Sequence, residues 1–200
     1  LSVKDNRKLL VLLTTFQVDD KKYDLVEKRI KAELSSSPDD TQLIILLAKV
    51  YMFNNDTDSA ETLLNDAIEI NPGAEEPYLL LSQMYQTKRD INSVKSILVK
   101  GKANVKSSLK IPLRLATAYE VDKSYKKAIV VYRELYETNP DNLVITNNLA
   151  SMLSDYGNGK DDLELAKTLA EKLKESGQPV FLDTIGWVDY KLGDSAKAVQ

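Results

Sequence analysis

Three patterns in this 200-residue sequence could do chemistry. Gly157-Asn158-Gly159-Lys160 offers the glycines and lysine of a phosphate-cradling loop; adjacent carboxylates stand at places such as Asp39-Asp40, Glu75-Glu76 and Asp161-Asp162; and the cations Lys110 and Arg114, four residues apart, share one helical face. The first lacks both the hydroxyl residue after the lysine and the spacing of a phosphate loop, and Ala166 stands where an EF-hand would need its last glutamate. The carboxylate pairs fall at predicted helix starts, where negative charge is favoured by the helix dipole, so they need no catalytic role. With no cysteine and no histidine, the chain has no thiolate nucleophile, no imidazole base, no disulfide and none of the usual nitrogen or sulfur ligands of zinc. We read it as no enzyme, with no metal and no cofactor.

Composition narrows the remaining classes. An apolar fraction of 43% is ordinary for a folded protein. The net charge of -3 splits into -3 for residues 1–100 and 0 for residues 101–200, which predicts no nucleic-acid or membrane arm. The longest aliphatic runs, Leu9 to Leu13 and Leu43 to Ala48, are far shorter than the roughly 18 to 20 residues of a membrane span. The chain starts at Leu1 with no signal segment or lipidation cysteine, and we read it as a piece of a longer protein.

What positions the cations is a repeat. Pro38, Pro72 and Pro140 are 34 and then 68 residues apart, and the windows 7–40, 41–74, 75–108 and 109–142 align without a gap. Leu47, Ala48, Tyr51, Ala60, Leu64, Ala67 and Pro72 of the second window share offsets with Leu115, Ala116, Tyr119, Ala128, Tyr132, Leu135 and Pro140 of the fourth. The third gives Leu81, Ser82, Tyr85, Val94, Leu98 and Gly101, and the first Thr14, Gln17, Val26, Ile30 and Pro38. Each window holds two amphipathic helical patterns split by a short polar stretch, a helical hairpin. Asp58, three residues before Glu61, has the spacing of a capping box. Small residues such as Ala48 and Ala60 let two helices approach within roughly 8 to 10 Å, and the tyrosines fill the space beside them. A fifth unit, 143–178, carries its small residue at Ala166, four positions late, which places an insertion near 155–162, the glycine-rich turn signal. A sixth, 179–200, holds Ile185, Gly186 and Ala198 in register and is incomplete.

This spacing and these residues resemble the tetratricopeptide repeat family over about Arg7 to Gln200, with the family tryptophan absent from its usual place. The resemblance implies a single all-α domain over 1–200: a right-handed superhelical solenoid of antiparallel helix hairpins, about five and a half repeats, whose first helices line a concave groove for a peptide or protein partner. It places Lys49, Gln83, Gln86, Lys110, Arg114, Thr117, Asn147, Asn148, Ser151, Asp183, Thr184 and Trp187 on that groove. In the chaperone-binding subfamily a Lys and an Arg at the offsets of Lys110 and Arg114 help bind a terminal carboxylate, which makes this pair a candidate anion contact. Ile45 and Leu80 stand where that clamp has a lysine and an asparagine, so a chaperone-tail clamp is not expected. Asn147 and Asn148 could bond an extended peptide backbone. Val11, Leu12, Ile45, Leu46, Met52, Phe53, Leu79 and Leu80 are apolar for first helices, which predicts burial on both sides by another segment or by self-association. Pro179 to Asp194, with Asn147 to Ala150, looks like the last repeats of bacterial envelope proteins of exopolysaccharide and exosortase-type systems. That implies an envelope scaffold for polysaccharide export or assembly. A regulatory or targeting module of a larger enzyme and a cytoplasmic co-chaperone are the alternatives.

Overall fold

The computed structural model describes residues 20–194, and all regular structure among them is helical. Thr14, Gln17, Val11, Leu12 and Ala198, assigned above to the terminal units, lie outside the described residues. The chain forms two compact units, Leu1–Ser108 and Leu109–Gln200. In the first, α1 (Asp20–Leu34), α2 (Thr41–Phe53), α3 (Thr57–Ile70), α4 (Glu75–Thr87) and α5 (Ile91–Asn104) each pack on the next in sequence. In the second, α6 (Lys110–Val121), α7 (Tyr125–Thr138), α8 (Leu143–Tyr156), α9 (Lys160–Glu175) and α10 (Leu182–Lys191) do the same; α8 also touches α10, and a short 3-10 turn, Pro179–Phe181, precedes α10.

The 34-residue period is visible atom by atom in the first unit. Asp56 accepts hydrogen bonds from the Ser59 amide at 3.1 Å and the Ser59 hydroxyl at 2.7 Å, and Asp90 does the same from Ser93 at the same distances. Each thereby satisfies open amide groups at a helix start. The cap of α3 is thus Asp56 with Ser59, and not the expected pairing of Asp58 with Glu61. Glu61 instead reaches the next hairpin, accepting from the Tyr85 hydroxyl at 2.8 Å and from Lys88 at 3.2 Å. One period earlier, Glu27 accepts from the Tyr51 hydroxyl at 2.9 Å and from Lys31 at 2.6 Å. Burial first, then the Glu61 carboxylate, pushes the Tyr85 phenol up to about 12.

The small residues behave as the packing argument requires. Ala48, Ala60, Ala67, Ala116, Ala128, Ala150 and Ala166 are all fully buried. Of the apolar first-helix residues, Ile45 and Leu46 are buried, Met52, Leu79 and Leu80 are half-buried, and Phe53 is 56% exposed. Two-sided burial therefore holds for the first turns of α2 and fails at its end. In the fifth hairpin the turn still has three residues, 157–159, and the extra length lies in the helices, 14 and 16 residues against 12 and 14 in the hairpin before.

The two aspartate caps are expected to contribute to the loss of stability in acid. The Ser59 and Ser93 hydroxyls, and then their amides, hold Asp56 and Asp90 below the ordinary aspartate value of 3.8. A depressed folded-state pKa means the caps stabilise above the ordinary value, and that the contribution is lost as pH falls through the folded-state value. Asparagine caps nearly as well but does not titrate. In urea denaturation, Asp56→Asn with Asp90→Asn is expected to leave stability near neutral pH almost unchanged and to flatten its decline below about pH 4. An unchanged acid limb would show that these caps do not carry it.

Candidate partner-binding surface

The side chains placed on first helices fall in both units. In the first, Gln83 and Gln86 on α4 are exposed, and Lys49 on α2 pairs with Glu76 at the start of α4, 2.5 Å away. Lys49 is therefore already engaged.

In the second unit, Lys110, Arg114 and Thr117 on α6 are exposed, Asn147, Asn148 and Ser151 on α8 are half-buried, and Asp183 and Trp187 on α10 are exposed with Thr184 half-buried between them. Two polar links join these helices. Tyr132 on α7, 2% exposed, donates its hydroxyl to Glu120 on α6 at 2.6 Å and accepts from the Asn148 side-chain amide at 3.4 Å. Burial, reinforced by Glu120, pushes the Tyr132 phenol up, so it stays a donor throughout the physiological range. Asn147 donates to Asn148 at 3.4 Å, and its own carbonyl oxygen Oδ1 is buried with no partner. Both amide bonds are at the long end of hydrogen bonding, where the interaction is weak.

The second link is aromatic. The Trp187 ring nitrogen donates to Asp155 on α8 at 2.9 Å, Lys191 pairs with the same carboxylate oxygen at 3.0 Å, and the Lys191 ammonium lies 5.0 Å above the indole ring. Tyr190 stacks on Trp187 with ring centroids 5.5 Å apart. Leu182, Asp183, Gly186, Trp187 and Tyr190 surround an open hollow of about 330 Å³. Sequence reasoning placed Trp187 here but passed over Asp155, Tyr190, Lys191, Glu120 and Tyr132. Helical spacing was a usable signal for two of them: Asp155 follows Asn147 and Ser151 at four-residue steps, and Tyr190 is three residues past Trp187.

Among the described residues no group of three or more acidic side chains could hold a metal, and no helix is long and apolar enough to cross a membrane.

By sequence, residues 17–84 match the tetratricopeptide repeat family. No curated protein matches the chain. Among solved structures, the chain is similar to YrrB, described as a tetratricopeptide protein with an unusual peptide-binding site, at 16% identity over 85% of this chain and 87% of that one, with a TM-score of 0.66. It is similar to pilF of Pseudomonas aeruginosa at 11% identity over 98% and 88% of the two chains, TM-score 0.63. It is also similar to PilW, a type IV pilus biogenesis factor, at 14% identity over 100% and 90%, TM-score 0.60. Identities this low speak for the fold alone. Helical hairpins at a 34-residue spacing, the family match over residues 17–84 and these structural likenesses together give the chain the helical-hairpin solenoid fold of tetratricopeptide repeats.

Proposed function

We propose that the chain is a protein-interaction scaffold, and that an extended segment of its partner lies along the first helices of the second unit, from Lys110 to Trp187. The fold is one used for protein–protein interaction. The observation that carries this reading is the pair Asn147 and Asn148: two amides held by bonds of 3.4 Å, one with a buried, unpartnered oxygen. A buried acceptor without a donor costs about 1–3 kcal/mol, and a small rotation of the Asn147 amide would let a peptide N–H relieve it. Lys110 and Arg114 supply positive charge at one end of the surface, and the Trp187–Tyr190 pair supplies apolar contact at the other.

The test compares the proteins captured by the parent, by Asn147→Ala with Asn148→Ala, by Lys110→Ala with Arg114→Ala, and by a control, Lys167→Ala, on the exposed side of α9. We expect the control to retain the parent's partner and the double variants to lose at least tenfold in affinity, about 1.4 kcal/mol. Equal capture by all four would sink the reading.

We propose further that the setting is a bacterial envelope assembly for polysaccharide export, on the strength of the segment Pro179 to Asp194. Fractionation of source cells with an antibody to this chain tests it: recovery in the cytosol alone would exclude it.

A further inference from the structure

Charge in this chain is segregated on a finer scale than its two halves reveal. Residues 50–87 hold seven carboxylates and no lysine or arginine, whereas residues 91–119 hold six cations and no carboxylate. A count that divides the chain at residue 100 cuts the positive block and hides it. In the first unit the acidic block covers α3 and the start of α4, and the basic block covers α5 and the turn after it. Asp66 on α3 and Lys100 on α5 stand one period apart, so the same outward position of successive hairpins carries opposite signs.

Each block is also matched by shape. Between α1 and α3 lies an open cleft of about 620 Å³ with apolar walls from Leu34, Ile44, Leu63 and Ile70. Its rim carries Asp66 and Glu69, both exposed and neither in an ion pair or hydrogen bond among the described residues. Lys31, also on the rim, is neutralised by Glu27 at 2.6 Å. The outer side of α5 is the counterpart: Val99, 48% exposed, with Ala103 beside it and the exposed cations Lys100 and Lys106, which likewise make no ion pair among the described residues. An apolar hollow rimmed by carboxylates and an apolar ridge flanked by ammonium groups are complementary in contact and in field.

We propose that copies of this chain associate head to tail, the outer side of α5 of one copy seated on the α1–α3 cleft of the next. The two patches occupy equivalent positions on successive hairpins and face outward together, so one chain cannot close them on itself. The contact is between unlike surfaces, which leaves a free cleft at one end and a free ridge at the other, and growth continues by addition of further copies. This association uses residues of the first unit alone, whereas the proposed partner surface uses residues of the second.

The experiment is sedimentation velocity of the whole chain over a concentration series at about 0.01 M and about 1 M salt, where the Debye length is about 30 Å and about 3 Å. We expect the average mass to climb above 22.4 kDa with concentration at low salt and to return to it at high salt. Asp66→Lys with Glu69→Lys reverses the rim, and Lys100→Glu with Lys106→Glu reverses the ridge; all four side chains are exposed, and circular dichroism confirms folding. Each variant alone should stay monomeric, and their equimolar mixture should regain mass, because every positive patch of one then meets a negative patch of the other. A parent chain that remains at 22.4 kDa throughout overturns the proposal, as do variants that associate like the parent or a mixture that stays monomeric.

Discussion

Tyr132→Ala is expected to destabilise the second unit by about 3–5 kcal/mol, the range for removing a fully packed aromatic ring. Tyr132 is 2% exposed on α7, and its hydroxyl stands between Glu120 of α6 and Asn148 of α8. Truncation removes the ring from between three helices and strips the Glu120 carboxylate of its donor. Tyr132→Phe separates the two contributions: it keeps the ring and loses only the hydroxyl, at about 1–3 kcal/mol for the polar groups left unpaired. Trp187, the sole tryptophan, lies in this unit, so its emission during urea denaturation follows the right part of the chain. At unchanged slope, the midpoint shift gives the difference directly. A loss below about 1 kcal/mol for Tyr132→Ala would mean that the ring does not hold α6 to α8, and the partner surface would lose its support.

Gly157→Ala is the second change expected to have a large effect, although it adds a single carbon at a turn. A Cβ on Gly157 would lie 2.4 Å from the Leu153 carbonyl oxygen and 2.6 Å from the Asp162 Cβ. The first is backbone of α8 and the second is held in place: Asp162 accepts from the Asn158 amide at 2.6 Å and pairs with Arg133 on α7. Neither neighbour can yield without breaking something else, so overpacking of about 1–3 kcal/mol is expected. Gly159→Ala offers a comparison of different origin, since a Cβ there meets nothing within 4 Å and the strain comes only from a φ of +81°. Thermal unfolding of both variants decides the matter: if Gly157→Ala is as stable as the parent, α7, α8 and α9 are not locked together at this turn.

The repeat was legible because its causes are short-range. Prolines that end helices, alanines that admit close approach and tyrosines that fill space share offsets in the second and fourth windows, Pro72 with Pro140, Ala48 with Ala116 and Tyr51 with Tyr119, while the third keeps Tyr85 but has Ser82, Val94 and Lys106 at the other places. That Asn147, Asn148 and Ser151 share one helix, and Asp183, Thr184 and Trp187 another, also followed from the repeat. What escaped reading depends on side-chain reach across hairpins. Asp161 and Asp162 look alike at a helix start, yet Asp162 is mostly buried and tied to Arg133, 29 residues earlier, while Asp161 is exposed. Glu61 has capping-box spacing from Asp58 but is drawn to Tyr85, because a phenol in a half-buried place needs an acceptor more than an exposed helix end does. The four residues of the fifth unit's insertion point to a longer loop by composition. They became helix instead, since the turn geometry is set by three residues and extra chain is better hydrogen-bonded as further helical turn.

The duplicated caps have a consequence for how such a chain can change length. Asn55 and Arg89 both sit at the centre of a three-residue turn with left-handed backbone, φ 61° and 57°, each followed by an aspartate that grips the serine three places on. Excision of residues 57–90 would join α2 to α5 through a turn whose conformation and first helical contacts are already those of the intact hairpins. A cut one residue longer or shorter would misplace every alanine. Copy number in this chain is therefore quantised: recombination can add or delete whole hairpins almost silently, and selection can tune the number of stacked units without rebuilding any of them.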